Sequence, residues 1–73
     1  MKRRFIIKID LESKAFKPTE TVETARILRE LALHLHLNQN FSDEDYFMLY
    51  DQDGRTCGGA EIEKVGRASL RGG

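Results

Sequence analysis

The sequence has one cysteine, one proline and no tryptophan in 73 residues. One cysteine excludes an intramolecular disulfide. With His34 and His36 as the only histidines, it also leaves too few ligands of that type for a four-coordinate structural zinc site. A lone thiol fits a reducing compartment, so a cytoplasmic protein is expected. An excess of one charge is missing too. Twelve Lys+Arg balance twelve Asp+Glu, so the chain lacks the basic field that usually marks strong nucleic-acid binders. No apolar run approaches the ~18 residues that a membrane span requires. The opening MKRRFIIKIDLE turns acidic without a small-residue cleavage site and does not read as a signal peptide. The length allows one small domain and no cleft between lobes. A domain of this size buries only about 60% of its unfolded surface, so tight packing or a second subunit must supply further stability.

What is present is regular. In residues 4–11 (RFIIKIDL), Phe5, Ile7, Ile9 and Leu11 fall on one face with period two, and Arg4, Ile6, Lys8 and Asp10 on the other. Residues 12–19 form a connection in which Ala15 and Phe16 are expected to reach the core, and Pro18 keeps Lys17 extended. Thr19 or Thr21 can cap the helix that follows. Residues 20–37 carry the strongest helical pattern. At ~100° per residue, Thr24, Ile27, Leu28, Leu31, Ala32 and Leu35 share one face, with Ala25 at its edge. Glu23, Arg26, Arg29 and Glu30 lie opposite, spaced for ion pairs. Val22, Leu33 and Leu37 fall outside the apolar stripe, in one sector of the polar side.

A polar loop over residues 38–45 has Phe41 as its one anchor. Residues 46–51 read as a second strand, with Phe47 and Leu49 on one face and Tyr46, Met48 and Tyr50 on the other. Gln52-Asp53-Gly54 supplies the turn, because Asp-Gly tolerates the positive φ of a tight hairpin. Residues 55–62 complete a third strand, in which Gly58-Gly59 marks a bulge or a close backbone approach. The expectation is an α+β domain over residues 1–62, with a three-stranded sheet in β-α-β-β order and one amphipathic helix packed on one face. Residues 63–73 read as a basic, glycine-containing tail. Sequence spacing leaves the strand order open.

Groups that could carry chemistry are sparse. His34 and His36 project about 200° apart on a helix and do not share a ligand. Asp51-Gln52-Asp53-Gly54 begins like a calcium loop, but Arg55 and Ile62 occupy its fifth and twelfth positions. Cys57 lacks a base placed nearby by spacing and reads as a buried thiol. No catalytic, metal or cofactor-binding residues are assigned, and no cofactor is expected.

The terminal Leu70-Arg71-Gly72-Gly73 resembles the tail of ubiquitin and its relatives. That family opens with a β-hairpin before its helix, whereas here one strand leads directly into the helix. The likeness is confined to those residues. Over residues 4–62 the layout resembles small proteins of bacterial, phage and plasmid sequences. The matching features are Ile9-Asp10, Ala15-Phe16, Ala25 to Ala32, and Asp51 to Gly54. The resemblance implies the β-α-β-β fold and no particular activity.

These features point to a non-catalytic interaction module that pairs with itself, as a homodimer, or with a protein partner. Its candidate surfaces are Val22, Leu33 and Leu37 on the helix and Ile6, Tyr46, Met48 and Tyr50 on the sheet face away from it. The alternative is a nucleic-acid accessory protein using Lys2, Arg3, Arg4, Lys8, Lys64, Arg67 and Arg71, the basic residues at the two chain ends.

Overall fold

A computed structural model of the chain describes residues 2–65. It comprises β1 (Lys2–Ile9), a 3-10 turn (Lys14–Phe16), α1 (Glu20–Asn38), β2 (Tyr46–Tyr50) and β3 (Thr56–Val65). The fold is α+β with the β-α-β-β order read from the sequence. The three strands form an antiparallel sheet in the order β1-β3-β2. The last strand in the chain is therefore central, and β1 and β2 are both edges. β3 continues through Val65, so the first residues of the segment read as a tail pair with β1. Arg67, Arg71 and the rest of the segment after Val65, including Leu70-Arg71-Gly72-Gly73, lie outside the described residues.

The β2–β3 hairpin forms because its turn satisfies its own polar groups. Gly54 takes a φ of 83°, and its amide donates to the Asp51 carbonyl at 2.9 Å. The Asp51 carboxylate accepts from the amides of Asp53 at 2.9 Å and Arg55 at 3.0 Å, and from the Ser13 hydroxyl at 3.0 Å. The same carboxylate thus closes the turn and ties it to the connection that follows β1.

Phe16, Ile27, Leu31, Leu49, Cys57 and Ala60 form the buried core, and Phe5, Ile9, Leu35 and Phe47 pack around it. Ala15 and Phe16 do pin the first connection to the interior. Phe41 is exposed but stacks on Phe5, with ring centroids 4.9 Å apart. The helix sits on β2 and on the 3-10 turn rather than squarely over the sheet. Two expectations change as a result. Ile7 and Leu11, read as core residues of the first strand, are about 40% exposed, and β1 ends at Ile9. Leu28 and Ala32, read on the core stripe of the helix, are also exposed, while Glu23, placed on the outer face, is buried.

The burial of Glu23 has a direct cause. Its carboxylate accepts from Arg26 Nε at 3.0 Å, from Arg26 Nη2 at 2.8 Å and from the Gln52 amide at 2.8 Å. A carboxylate with those partners tolerates burial, since its lone pairs are occupied by charge-assisted donors. Roll of the helix toward β2 follows. The N-cap residue is Thr19, but its hydroxyl makes no capping bond; its carbonyl accepts from Glu23 N.

Candidate interaction surface

The surface is built on β2. Its partner register is Tyr46 with Glu61, Phe47 with Ala60, Met48 with Gly59 and Leu49 with Gly58. The register then slips, so that Tyr50 faces Thr56 and Cys57 is the extra residue of a bulge. The amide of Asp51 donates inward to the Arg55 carbonyl at 2.9 Å. The carbonyl of Tyr50 points the other way and accepts from Arg26 Nη2 at 3.2 Å. Backbone groups alternate sides along a strand, so Phe47 and Leu49 bond to β3. The amides and carbonyls of Tyr46, Met48 and Tyr50 consequently point out of the free edge.

Beside that edge runs a groove of about 320 Å³. One wall is the whole of β2; the other is Ile27, Glu30, Leu31 and His34 of α1. The i, i+3, i+4, i+7 spacing of these helical residues makes them one stripe. The His34 Nδ1 lies 3.0 Å from the Glu30 carbonyl, which holds the ring along the helix. Leu33 and Leu37 stand three residues beyond Glu30 and His34, in the next row away from the core and on the side where Arg26 reaches β2. Val22 lies in the same sector. The exposures of Val22, Leu33 and Leu37 are 62%, 67% and 80%, in keeping with their place outside the core stripe.

On the sheet face away from the helix, Tyr46, Met48 and Tyr50 are each about half exposed, and Ile6 is half-buried. Ile6, Glu61 and Tyr46 form one cross-strand row; Lys8, Gly59 and Met48 form the next. A Cβ at Gly59 would overlap the Tyr46 ring, which therefore lies across this glycine. The structure thus joins two sets of residues that sequence analysis held apart. Tyr46, Met48 and Tyr50 flank the same edge of the molecule as the helical leucines, whereas Ile6 lies on β1, the opposite edge of the sheet. Spacing missed Ile27, Glu30, Leu31 and His34 as the facing wall, because only the strand order shows that, among the described residues, β2 has no neighbouring strand on that side.

The basic residues are also brought together, since Lys2 pairs with Val65 and Arg3 with Lys64. Two of these residues, Arg3 and Lys64, have their charge compensated locally. Arg3 Nε lies 3.1 Å and Lys64 Nζ 3.3 Å from the Asp43 carboxylate, and Arg3 also donates to the Phe41 carbonyl at 3.2 Å. Arg4 faces Glu63 across the strands.

Several ionisable groups have shifted affinities. The Arg26 guanidinium holds the Glu23 carboxyl below its usual range, against the opposing effect of burial and with help from the Gln52 amide. Burial opposes ionisation of Asp51, but the bonds from Arg55 N, Ser13 Oγ and Asp53 N outweigh it and keep its carboxyl low. Burial first, and then the charges of Asp51 and Glu23, push the Cys57 thiol up, which favours its protonated form. Glu23 and Asp51 therefore act as structural anions.

Among the described residues, one α-helix on a three-stranded antiparallel sheet in β-α-β-β order defines a small α+β domain. No protein family, no curated protein and no solved structure matches the chain. Among the described residues, no helix is long and apolar enough to cross a membrane.

Proposed function

We propose that this chain is a small, non-catalytic interaction module that takes an extended protein segment onto the free edge of β2. The observation that supports it is an uncharged edge strand, Tyr46–Tyr50, whose outward backbone groups border an apolar groove. Edge strands are usually shielded by charge, proline, a bulge or a covering element, because unpaired amides and carbonyls recruit other strands. β2 has no charged side chain, and its bulge lies on the β3 side. In strand addition, main-chain bonds give affinity and pockets for alternate side chains give selectivity. Here Ile27, Leu31 and His34 form the wall that alternate side chains of the added strand would meet.

The nucleic-acid reading has weaker support. It needs free cations, and Asp43 engages both Arg3 and Lys64. The strand-addition reading is tested by titrating isotopically labelled protein with a synthetic peptide of residues 45–51. Amide shifts should concentrate at Tyr46, Met48, Tyr50 and the Ile27–His34 side of α1. In a sample that runs at the single-chain mass, an unchanged spectrum, or shifts centred on β1, would sink it.

A further inference from the structure

We infer that the strand received by β2 is β2 of a second copy, paired about a two-fold axis that passes beside Met48. The inference rests on the strand-addition reading and names its occupant. The segment Tyr46-Phe47-Met48-Leu49-Tyr50 is nearly symmetric about its centre. Antiparallel pairing centred on Met48 sets Met48 against Met48, Tyr46 against Tyr50 and Phe47 against Leu49. Like meets like or near-like at every position, and no strand position carries a charge; Arg26, which reaches the Tyr50 carbonyl, keeps its charge paired with Glu23 and Glu30.

The backbone phase fits the same register. The residues whose amides and carbonyls point outward are Tyr46, Met48 and Tyr50. Centring on Met48 makes each of them a hydrogen-bonded pair with its counterpart. A register displaced by one residue would set inward-pointing groups against outward-pointing ones. The bond from Arg26 to the Tyr50 carbonyl leaves that oxygen a second lone pair for the incoming amide.

A two-fold axis normal to the sheet keeps both helices on one face, running antiparallel on either side of the axis. The side of α1 that turns toward the partner is then the side bearing Leu33, Leu37 and Val22. The reversal brings the C-terminal Leu37 of one helix toward the N-terminal Val22 of the other. One arrangement thus covers the uncharged edge and these three exposed apolar side chains. It yields a closed, isologous dimer with a continuous sheet, rather than an open filament.

The test is the solution mass over a wide concentration range, read by light scattering behind size exclusion. The expected value for the natural chain is twice its 8.4 kDa. Met48→Lys and Met48→Glu change a half-exposed side chain outside the core, so each variant should keep the fold, checked by circular dichroism. Each places like charges together on the axis and should run at the single-chain mass. Mixing the two should restore the doubled mass, because lysine then faces glutamate. Leu33→Asp with Leu37→Asp should also halve the mass. Variants that remain dimeric, or a mixture that stays at the single-chain mass, would overturn the pairing about Met48. A natural chain that is monomeric throughout would overturn self-pairing itself. In that event the peptide titration still decides the reading beneath it: shifts at β2 leave strand addition standing with a foreign occupant, and an unchanged spectrum removes both.

Discussion

The two edges of the sheet are protected in opposite ways. β1 carries Lys2, Arg3, Arg4 and Lys8, and its first turns of pairing are braced by Asp43. Charged side chains on an edge make a second strand costly to add. β2 carries Tyr, Phe, Met and Leu only, yet it is the edge nearest the core, with Leu49 buried under α1. Burial also divides them on the helix-facing side: Ile7 of β1 is about 40% exposed, whereas Leu49 is almost fully covered. One edge is held by charge at its margin and the other by apolar packing. The lesson is that the well-packed edge is the one left chemically open.

The largest expected effect comes from truncating the equivalent apolar side chains of the two edges. Leu49→Ala should lower stability by about 2–5 kcal/mol, the usual cost of a leucine-sized hole in a core. Ile7→Ala should cost clearly less, since much of the side chain already meets water. Urea unfolding of the two variants gives both values. Equal losses would mean that the helix covers both edges alike and would erase the distinction.

Next in size are the adjacent glycines of β3, each facing a different edge. A Cβ at Gly58 would run into the Lys8 carbonyl of β1, which is backbone and cannot turn aside. Gly58→Ala should therefore cost about 1–3 kcal/mol, the range for overpacking. It should also speed amide exchange in β1. At Gly59 the obstacle is the Tyr46 side chain on β2, which can swing away. Gly59→Ala should be milder than Gly58→Ala and should perturb the Tyr46 ring signals. If exchange in β1 is unchanged in Gly58→Ala, the close approach is not what sets that edge.

The smallest effect is a pH dependence confined to the side of β2. Glu23 and Asp51 have ordinary values of 4.5 and 3.8 and lie lower in the folded chain. The unfolded chain therefore takes up protons first as the solution is acidified. Their contribution is full above the ordinary values and is lost as pH falls through the lower folded ones. Urea midpoints followed down through pH ~4 should drop, and Asp51→Asn should flatten part of that drop. Amides of the 51–55 turn should lose protection before those of β1–β3. Simultaneous loss at both places would show that the carboxylate clamp does not act locally.

Much of the fold was legible because its signals are local. Period-two alternation marks Phe5 to Ile9 and Tyr46 to Tyr50, and helical spacing marks residues 20–37. Asp53-Gly54 announces a turn that needs a positive φ. Val22, Leu33 and Leu37 were identifiable as outliers from the apolar stripe without any partner in view. Glu23 was misread because a carboxylate at a helical position looks solvent-facing until its three donors are seen, and one of them, the Gln52 amide, comes from a distant turn. Ile7 and Leu11 were misread because alternation identifies a face but not how much of it a single helix covers.

By itself the sequence determined the kinds of element, their order, the Asp-Gly hairpin and the symmetry of Tyr46–Tyr50 about Met48. Each of these depends on neighbours a few residues away. Tertiary structure alone decided that β3 lies between β1 and β2, that the helix rolls toward β2 to seat Glu23, and that the uncharged strand is an edge. Those outcomes follow from pairings between distant segments, where the competing arrangements satisfy the same local pattern and differ only in which surfaces are covered.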